Sequence, residues 1–248
     1  MKTVKLSARM KALADMVSKG RIVCDVGCDH GFVSIYLVQQ NIAPKVYAMD
    51  VRSGPLERAK EHISQYCLED YIETRLSDGL KNIQVGEADC MLCAGMGGPL
   101  MIKILTEGSG KMIKILTEGS GKAHAMKELI LQPQSELAHF RKFLREEGYR
   151  IVEENMIFEE GKYYPMMKAV PVLQENPENV DADEQEVWDS YGELLLKQKN
   201  VVLQQYLEHS AKHVKQLLEN LKKHSADEVR VAELEKELQL IHRAQKYM

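Results

Sequence analysis

The sequence predicts an α/β fold: a doubly wound, mainly parallel sheet with an antiparallel edge hairpin, followed by an α-helical coiled-coil domain. Three observations carry that prediction. Short apolar runs alternate with helical patterns through the first 147 residues. A turn bracketed by glycines, Asp25-Val-Gly-Cys-Asp-His-Gly31, joins the first of those runs to the next helical segment. From residue 184 onward, apolar positions recur at three- and four-residue steps with no strand signal.

Leu6, Met10, Leu13 and Val17 form one stripe of a helix over 6–18, and Ser7 suits its N-cap. Arg9 lies off the stripe and is either a phosphate contact or an exposed helix arginine. Strands are expected at 21–26, 45–50, 71–76, 88–93 and 128–131, with helices at 32–40, 55–67 and 135–147. Pro55 fits the first turn of its helix, where a missing N–H costs little. Runs 149–158 and 163–170 read as a hairpin joined at Glu159-Glu160-Gly161-Lys162. The order is Rossmann-like, so the loops after the first five strands sit where such sheets bind ligands.

Residues 101–111 recur unchanged as 112–122. Two copies, each with a helix-breaking Gly-Ser-Gly, do not make a solenoid. They point to a recent duplication or an error in the sequence record. One copy is expected to form the helix before the fifth strand and the other a surface excursion. Residues 173–183 have a linker composition. Val187, Tyr191, Leu194, Val201, Tyr206, Val214, Leu217 and Leu221, then Val231, Leu234, Leu238 and Ile241, are expected to be buried between two antiparallel helices. The expected division is a catalytic domain over 1–172, an acidic linker over 173–183 and a coiled-coil arm over 184–248.

Bulk properties narrow the function. At 248 residues and 44% hydrophobic content, the chain can hold one α/β domain and an appendage. No apolar run approaches the ~20 residues of a membrane span and no signal-peptide pattern opens the chain. Five cysteines suit a reduced, cytoplasmic setting. The net charge of −4 hides an asymmetry: residues 1–23 carry six bases against one acid, and 194–248 carry ten against seven. Two basic segments favour an acidic partner, although the second alone reads equally well as a solvated helix face.

The chemistry is carried by the loops. The fingerprint G-x-G-x-x-G is absent; Gly27 and Gly31 flank Asp29 instead, and no Walker lysine appears. Carboxylates at Asp25 and Asp29 suit a sulfonium and an ammonium better than a pyrophosphate, so S-adenosylmethionine is the expected cofactor. Asp50 ends the second strand, where an acid binds ribose hydroxyls. Asp78 is placed to accept from an adenine amino group. Methyl transfer needs alignment more than covalent help. Cys90-x-x-Cys93 has a zinc-like spacing, but side chains three apart on a strand face opposite ways, so no metal is expected.

Taken together, Asp25–Gly31, Asp50, Ser77-Asp78-Gly79-Leu80, Ala94-Gly-Met-Gly-Gly98 and Leu131-Gln-Pro-Gln134 resemble the bacterial tRNA adenine-22 N1-methyltransferases, which are class I S-adenosylmethionine-dependent enzymes. Leu6-Ser-Ala-Arg9 and Gly161-Lys-Tyr-Tyr164 agree with that family, as does a coiled-coil arm. The resemblance rests on motif order and spacing over nearly the whole chain. The duplicated segment departs from it and bears on the substrate side of the Ala94–Gly98 loop.

The resemblance implies a monomer or weak homodimer that methylates adenine N1 in the D-arm region of tRNA, with no membrane partner. Cofactor contacts fall on Asp25, Gly27, Cys28, Asp29, Gly31, Asp50, Val51, Asp78, Gly79, Ala94, Gly95 and Met96. Substrate contacts fall on Arg9, Gly97, Gly98, Gln132 and Tyr164, with Lys197, Lys212 and Lys215 on the arm. N1 is an in-plane lone pair, so the target base must be unpaired. Its methylation leaves a cation, which a carboxylate would stabilise. The loop after the fourth strand has no acid; Asp29 is the first candidate and His30 the second. Asp29 could equally hold only the cofactor ammonium. Two other readings remain open: a cofactor-binding adaptor without turnover, and a small-molecule methyltransferase, which would need neither basic segment.

Overall fold

The computed structural model describes residues 3–108, 121–172, 180–224 and 227–248. Helix α1 (Ala8–Asp15) precedes β1 (Val23–Val26), α2 (Phe32–Gln39), β2 (Val46–Asp50), α3 (Ser53–Gln65) and β3 (Ile72–Leu76). Then come β4 (Cys90–Met96), α4 (Gly98–Gly108), β5 (Glu128–Pro133), α5 (Leu137–Glu146), β6 (Tyr149–Glu159) and β7 (Lys162–Pro171). The chain closes with α6 (Ala182–Tyr191), α7 (Glu193–Lys197), α8 (Val201–His224) and α9 (Glu228–Gln245). The seven strands lie in the order β3-β2-β1-β4-β5-β7-β6. β1 to β5 are parallel, and β7 runs antiparallel to both β5 and β6.

The two-residue period of the strands sorts side chains into two cores. Val23, Val46, Ala48, Cys90, Leu92 and Ile130 pack with α1, α2 and α3. Cys24, Met49, Met91, Cys93, Leu129 and Leu131 pack on the other face with α4 and α5. Cys90 and Cys93 thus fall in different cores, as their spacing predicts. Ser7 caps α1, its Oγ accepting from Met10 N at 3.3 Å.

Strand β4 runs three residues farther than the sequence suggests, with a register irregularity between Ala94 and Met96. Gly95 at φ +78° allows that irregularity. In the first copy of the duplicated segment, residues 101–108 complete α4. Most of the second copy, and the excursion expected of it, lies outside the described residues. Lys122, at its end, donates to Leu80 O and Lys81 O at 2.9 and 2.7 Å. The expected linker also lies mostly outside them, and α6 starts at Ala182.

The C-terminal region differs from two expected helices. Among the described residues it holds four, because the chain breaks at Gly192 (φ +91°) and Lys199 (φ +53°). Its core contains Val187, Tyr191, Leu203, Leu207, Val214, Leu234 and Ile241, and Met156 of β6 joins it. Val201, expected to be buried, is 65% exposed at the start of α8, and Leu203 takes the inward position. The break at Lys199 resets the helical phase, which a continuous stripe could not foresee.

A buried ion pair joins these helices to the sheet. Arg141 Nε on α5 donates to Glu154 Oε1 on β6 at 2.9 Å, with side chains 4% and 1% exposed. Arg141 Nη1 also donates to the carbonyls of Asp189 and Ser190, and Glu154 Oε2 accepts from Leu194 N at 3.1 Å. Any Cβ at Gly192 would lie 2.5 Å from Glu154 Oε1, so glycine is required there. Removing one member of such a pair strands the other charge. Glu154→Ala is expected to lose about 3–5 kcal/mol in urea unfolding. An Arg141→Met, Glu154→Leu double variant should recover most of that loss.

Candidate active site

After β1 the chain turns through Gly27 (φ +78°), Asp29 (φ +48°) and Gly31 (φ +73°). Gly27 N and Cys28 N both donate to Met49 O, at 2.8 and 2.9 Å, which ties the loop to the end of β2. Gly31 caps α2, and a Cβ there would meet Ala59 Cβ of α3 at 3.1 Å. Asp29 holds a left-handed backbone that Asp tolerates better than most residues. Its carboxylate is 62% exposed and lies 3.6 Å from His30 Nε2.

Beneath the loop, Asp25 is nearly buried and accepts from Ser34 Oγ at 2.7 Å. Burial, opposed by the Ser34 bond and reinforced by nearby Asp50, pushes the Asp25 carboxyl up to about 6. Asp50 is also nearly buried; its Oδ1 accepts from Arg52 N at 2.9 Å. This donor set fits S-adenosylmethionine: an acid for an ammonium, a second acid for ribose hydroxyls, and no phosphate cradle. Burial, with Asp25, Asp50 and Asp29 adding to it, holds the Cys28 thiol protonated, so it is no nucleophile at neutral pH.

The loop after β1 meets the end of β4 at Gly27, where a Cβ would collide with Met96 Cε. Gly97 and Gly98, which the resemblance implies contact the substrate, pack against the β5–α5 turn. A Cβ on Gly98 would lie 2.6 Å from Ser135 O, and one on Gly97 would lie 3.1 Å from Ser135 Oγ. Gly95 remains open, its nearest neighbour being Gln134 Nε2 at 3.8 Å.

Three substrate candidates far apart in sequence come together here. Arg9 Nη1 donates to the buried Gln132 Oε1 at 3.2 Å, and the Arg9 guanidinium stacks 4.6 Å above the Tyr164 ring. Arg9 N donates to Glu159 Oε1 at 3.2 Å. Arg9 is therefore neither of the things its sequence position suggested, a free phosphate contact or an exposed arginine. It covers one face of Tyr164, which leaves that face unable to stack a base.

Other candidates lie at the ends of β2 and β3 or on the C-terminal helices. Asp78 is exposed and bound to Lys81. Gly79 takes φ +57° against Ile104, and Val51 is 61% exposed in the turn after β2. Lys197 bonds Glu193 at 2.6 Å and lies over the Trp188 ring, so its charge is already engaged. Lys212 and Lys215 are exposed on α8. Ser34, Ser135 and Glu159 escaped the sequence reading; their partners lie on other elements, and no local pattern marks them. A concavity of about 350 Å³ lies elsewhere, beside Lys45 and Ile72 at the N-terminal ends of β2 and β3. No group of His, Cys, Asp and Glu among the described residues could hold a metal.

The fold and this site define a Rossmann-like methyltransferase. A methyltransferase-domain family matches residues 6–167, and the family described as tRNA (adenine(22)-N(1))-methyltransferase matches residues 108–243. The chain is 33% identical to the tRNA (adenine(22)-N(1))-methyltransferase of Bacillus subtilis over 169 residues, 68% of this chain and 66% of that protein. The crystal structure of the B. subtilis m1A22 tRNA methyltransferase superposes with a TM-score of 0.80 at 27% identity, covering 97% of this chain and 99% of that one. A putative tRNA (m1A22) methyltransferase of Streptococcus pneumoniae, in complex with S-adenosyl-L-methionine, gives 0.80 and 27% over the same shares. The chain belongs to the tRNA (adenine(22)-N(1))-methyltransferase family.

The state of Asp25 gives a pH test. Above about pH 6 it is a carboxylate that attracts a cation; below, it is neutral and the attraction is lost. The dissociation constant for S-adenosylmethionine should be flat above neutrality and rise roughly tenfold per unit in acid. Titration calorimetry across pH checks this, and Asp25→Asn should bind weakly with no such slope.

Proposed function

We propose that the chain transfers a methyl group from S-adenosylmethionine to N1 of adenine 22 of tRNA, at the C-terminal ends of β1, β2, β4 and β5. The observation that carries this reading is the convergence of Asp25, Asp50 and Gln132 on the sheet face covered by α1 to α3, within the fold of a tRNA-methylating family. The cofactor supplies an electrophilic methyl group on a sulfonium. Asp25 draws its ammonium, Asp50 takes the ribose hydroxyls, and the Gly27–Gly31 loop lets backbone approach closely. Ala94, Gly95 and Met96 form the wall between cofactor and base.

The adenine must leave its pair to present N1, and the pocket holds it in line with the methyl group. Attack forms the N1–C bond as the S–C bond breaks, and the positive charge passes to the base. Asp29 stabilises that charge or accepts the N6 proton, with His30 as the alternative acceptor. Residues 1–172 form the catalytic unit. Residues 184–248 form an arm, whose α8 and α9 pair as an antiparallel coiled coil, and Lys212 and Lys215 contact tRNA phosphates. The protein works in the cytoplasm as a monomer or weak homodimer.

Incubation with labelled cofactor and unmodified bulk tRNA, followed by digestion to nucleosides, should yield N1-methyladenosine. A protein that binds cofactor yet yields none would leave the adaptor reading. Asp29→Ala should abolish turnover while keeping cofactor affinity; loss of both would make Asp29 a cofactor ligand. Replacing Lys212 and Lys215 by Ala should flatten the salt dependence of tRNA binding by about 2 in logarithmic slope. Arg9→Gln should lower kcat and leave that slope unchanged, because Arg9 holds Gln132 and Tyr164.

A further inference from the structure

Beside the glycine loop the fold leaves three stacked rings. His30 lies on Phe32 with ring centroids 5.9 Å apart and planes at 19°, and Phe32 lies on His62 of α3 at 4.5 Å and 23°. Phe32 belongs to neither sheet core and is 38% exposed, and the His30 side chain is similarly open. Rings that serve only packing are normally drawn inside. His62 Nδ1 lies 2.9 Å from the carbonyl oxygen of His30. A carbonyl can only accept, so His62 carries a proton on Nδ1, and its ring, 5.8 Å from that of His30 with planes at 40°, closes the cluster and bonds it to the loop that bears Asp29.

We propose that the His30–Phe32–His62 stack is a platform on which an unpaired nucleobase of the RNA substrate lies, next to the adenine being methylated. The proposal rests on the tRNA reading above. Attack by N1 needs a base out of its pair, and its neighbours then also lose partners and need a surface. Exposed aromatic faces flanked by positive charge supply one without regard to base identity. The charge is present: Arg58 sits one helical turn before His62 on the same face of α3, exposed and with no acidic partner among the described residues. The bond from His62 to the His30 carbonyl places the docked base against the segment that holds Asp29. This gives His30 a use in binding besides any part in proton transfer.

The test measures binding of an unmodified tRNA transcript and of a short single-stranded RNA to the full chain. Phe32→Leu keeps apolar bulk and removes the π face, whereas Phe32→Tyr keeps both. Phe32→Leu is expected to weaken both RNAs by about 5- to 150-fold, Phe32→Tyr to bind as the parent does, and S-adenosylmethionine affinity to hold in each. Wild-type RNA affinity in Phe32→Leu, or equal loss in both variants, would overturn the platform. Should Phe32→Leu also lose cofactor affinity, His62→Gln decides: it removes a ring but keeps a donor for the His30 carbonyl, and unchanged RNA binding then rejects the proposal. Failure of the wild-type chain to methylate tRNA would defeat the functional reading alone, because the single-stranded RNA arm still reports on the platform.

Discussion

The pleat of the parallel sheet is the constraint on which the site depends. Side chains alternate strictly between two faces, and β1, β2, β4 and β5 run in register, so residues of like parity at their C-terminal ends must converge. Asp25 and Gln132 therefore share a face with Val23 and Ile130, and that face receives α1, α2 and α3. A one-residue slip of β5 would turn Gln132 toward α4 and α5 and separate it from Arg9. The site is thus a consequence of register before it is a property of any side chain. Parallel strands also explain why two nearly buried acids are tolerable. Each meets a fixed donor, Ser34 Oγ or Arg52 N, supplied by the segment that follows its own strand.

A second constraint lies at the antiparallel edge. The β6–β7 hairpin meets α1 on one face, where Arg9 covers Tyr164, and the C-terminal helices on the other, where Tyr163 lies against Tyr206 with centroids 5.1 Å apart. Tyr163 and Tyr164 face opposite ways because they are consecutive on one strand. The Arg141–Glu154–Leu194 contacts fix the same hairpin to α5 and α7 from the side. An arm attached by one covalent linker would swing freely; one seated on a hairpin whose other face lines the site keeps a set distance from the chemistry. A phosphate held on α8 can then be a fixed span from the reacting base, which matters more for methyl transfer than raw affinity.

Much of this was legible in the sequence, and the misses have physical causes. The glycine pair around Asp29 marked the loop because a tight strand-to-helix turn through two left-handed positions calls for glycine. The succession of strands and helices and the edge hairpin followed from apolar runs and turn residues. The length of β4 did not, because Gly95 is a left-handed bulge position and Met96 continues the strand only by pairing with Pro133 of β5. Gly97 and Gly98 were expected at the substrate, yet a glycine required by a packed carbonyl reads the same as one required by a ligand. Val201 was misplaced because one helical period was carried across Lys199. Arg9 was misjudged because a cation–π partner 155 residues away leaves no trace in local spacing.

The charges around the site follow the course of the proposed reaction. Positive charge sits on a sulfonium before transfer and on the methylated base afterwards, so the charge moves a short distance and is never created. A site for such a step needs negative groups near both ends, and bases kept away from both. In the proposed site Asp25 and Asp50, both nearly buried, serve the cofactor end, and Asp29 stands exposed on the loop after β1. Arg9 turns its charge to the Tyr164 face and the Gln132 oxygen. Had Arg9 pointed into the pocket, it would have destabilised the cationic product beside it. The stacking of one arginine on one tyrosine therefore belongs to the electrostatics of the site as much as Asp29 does.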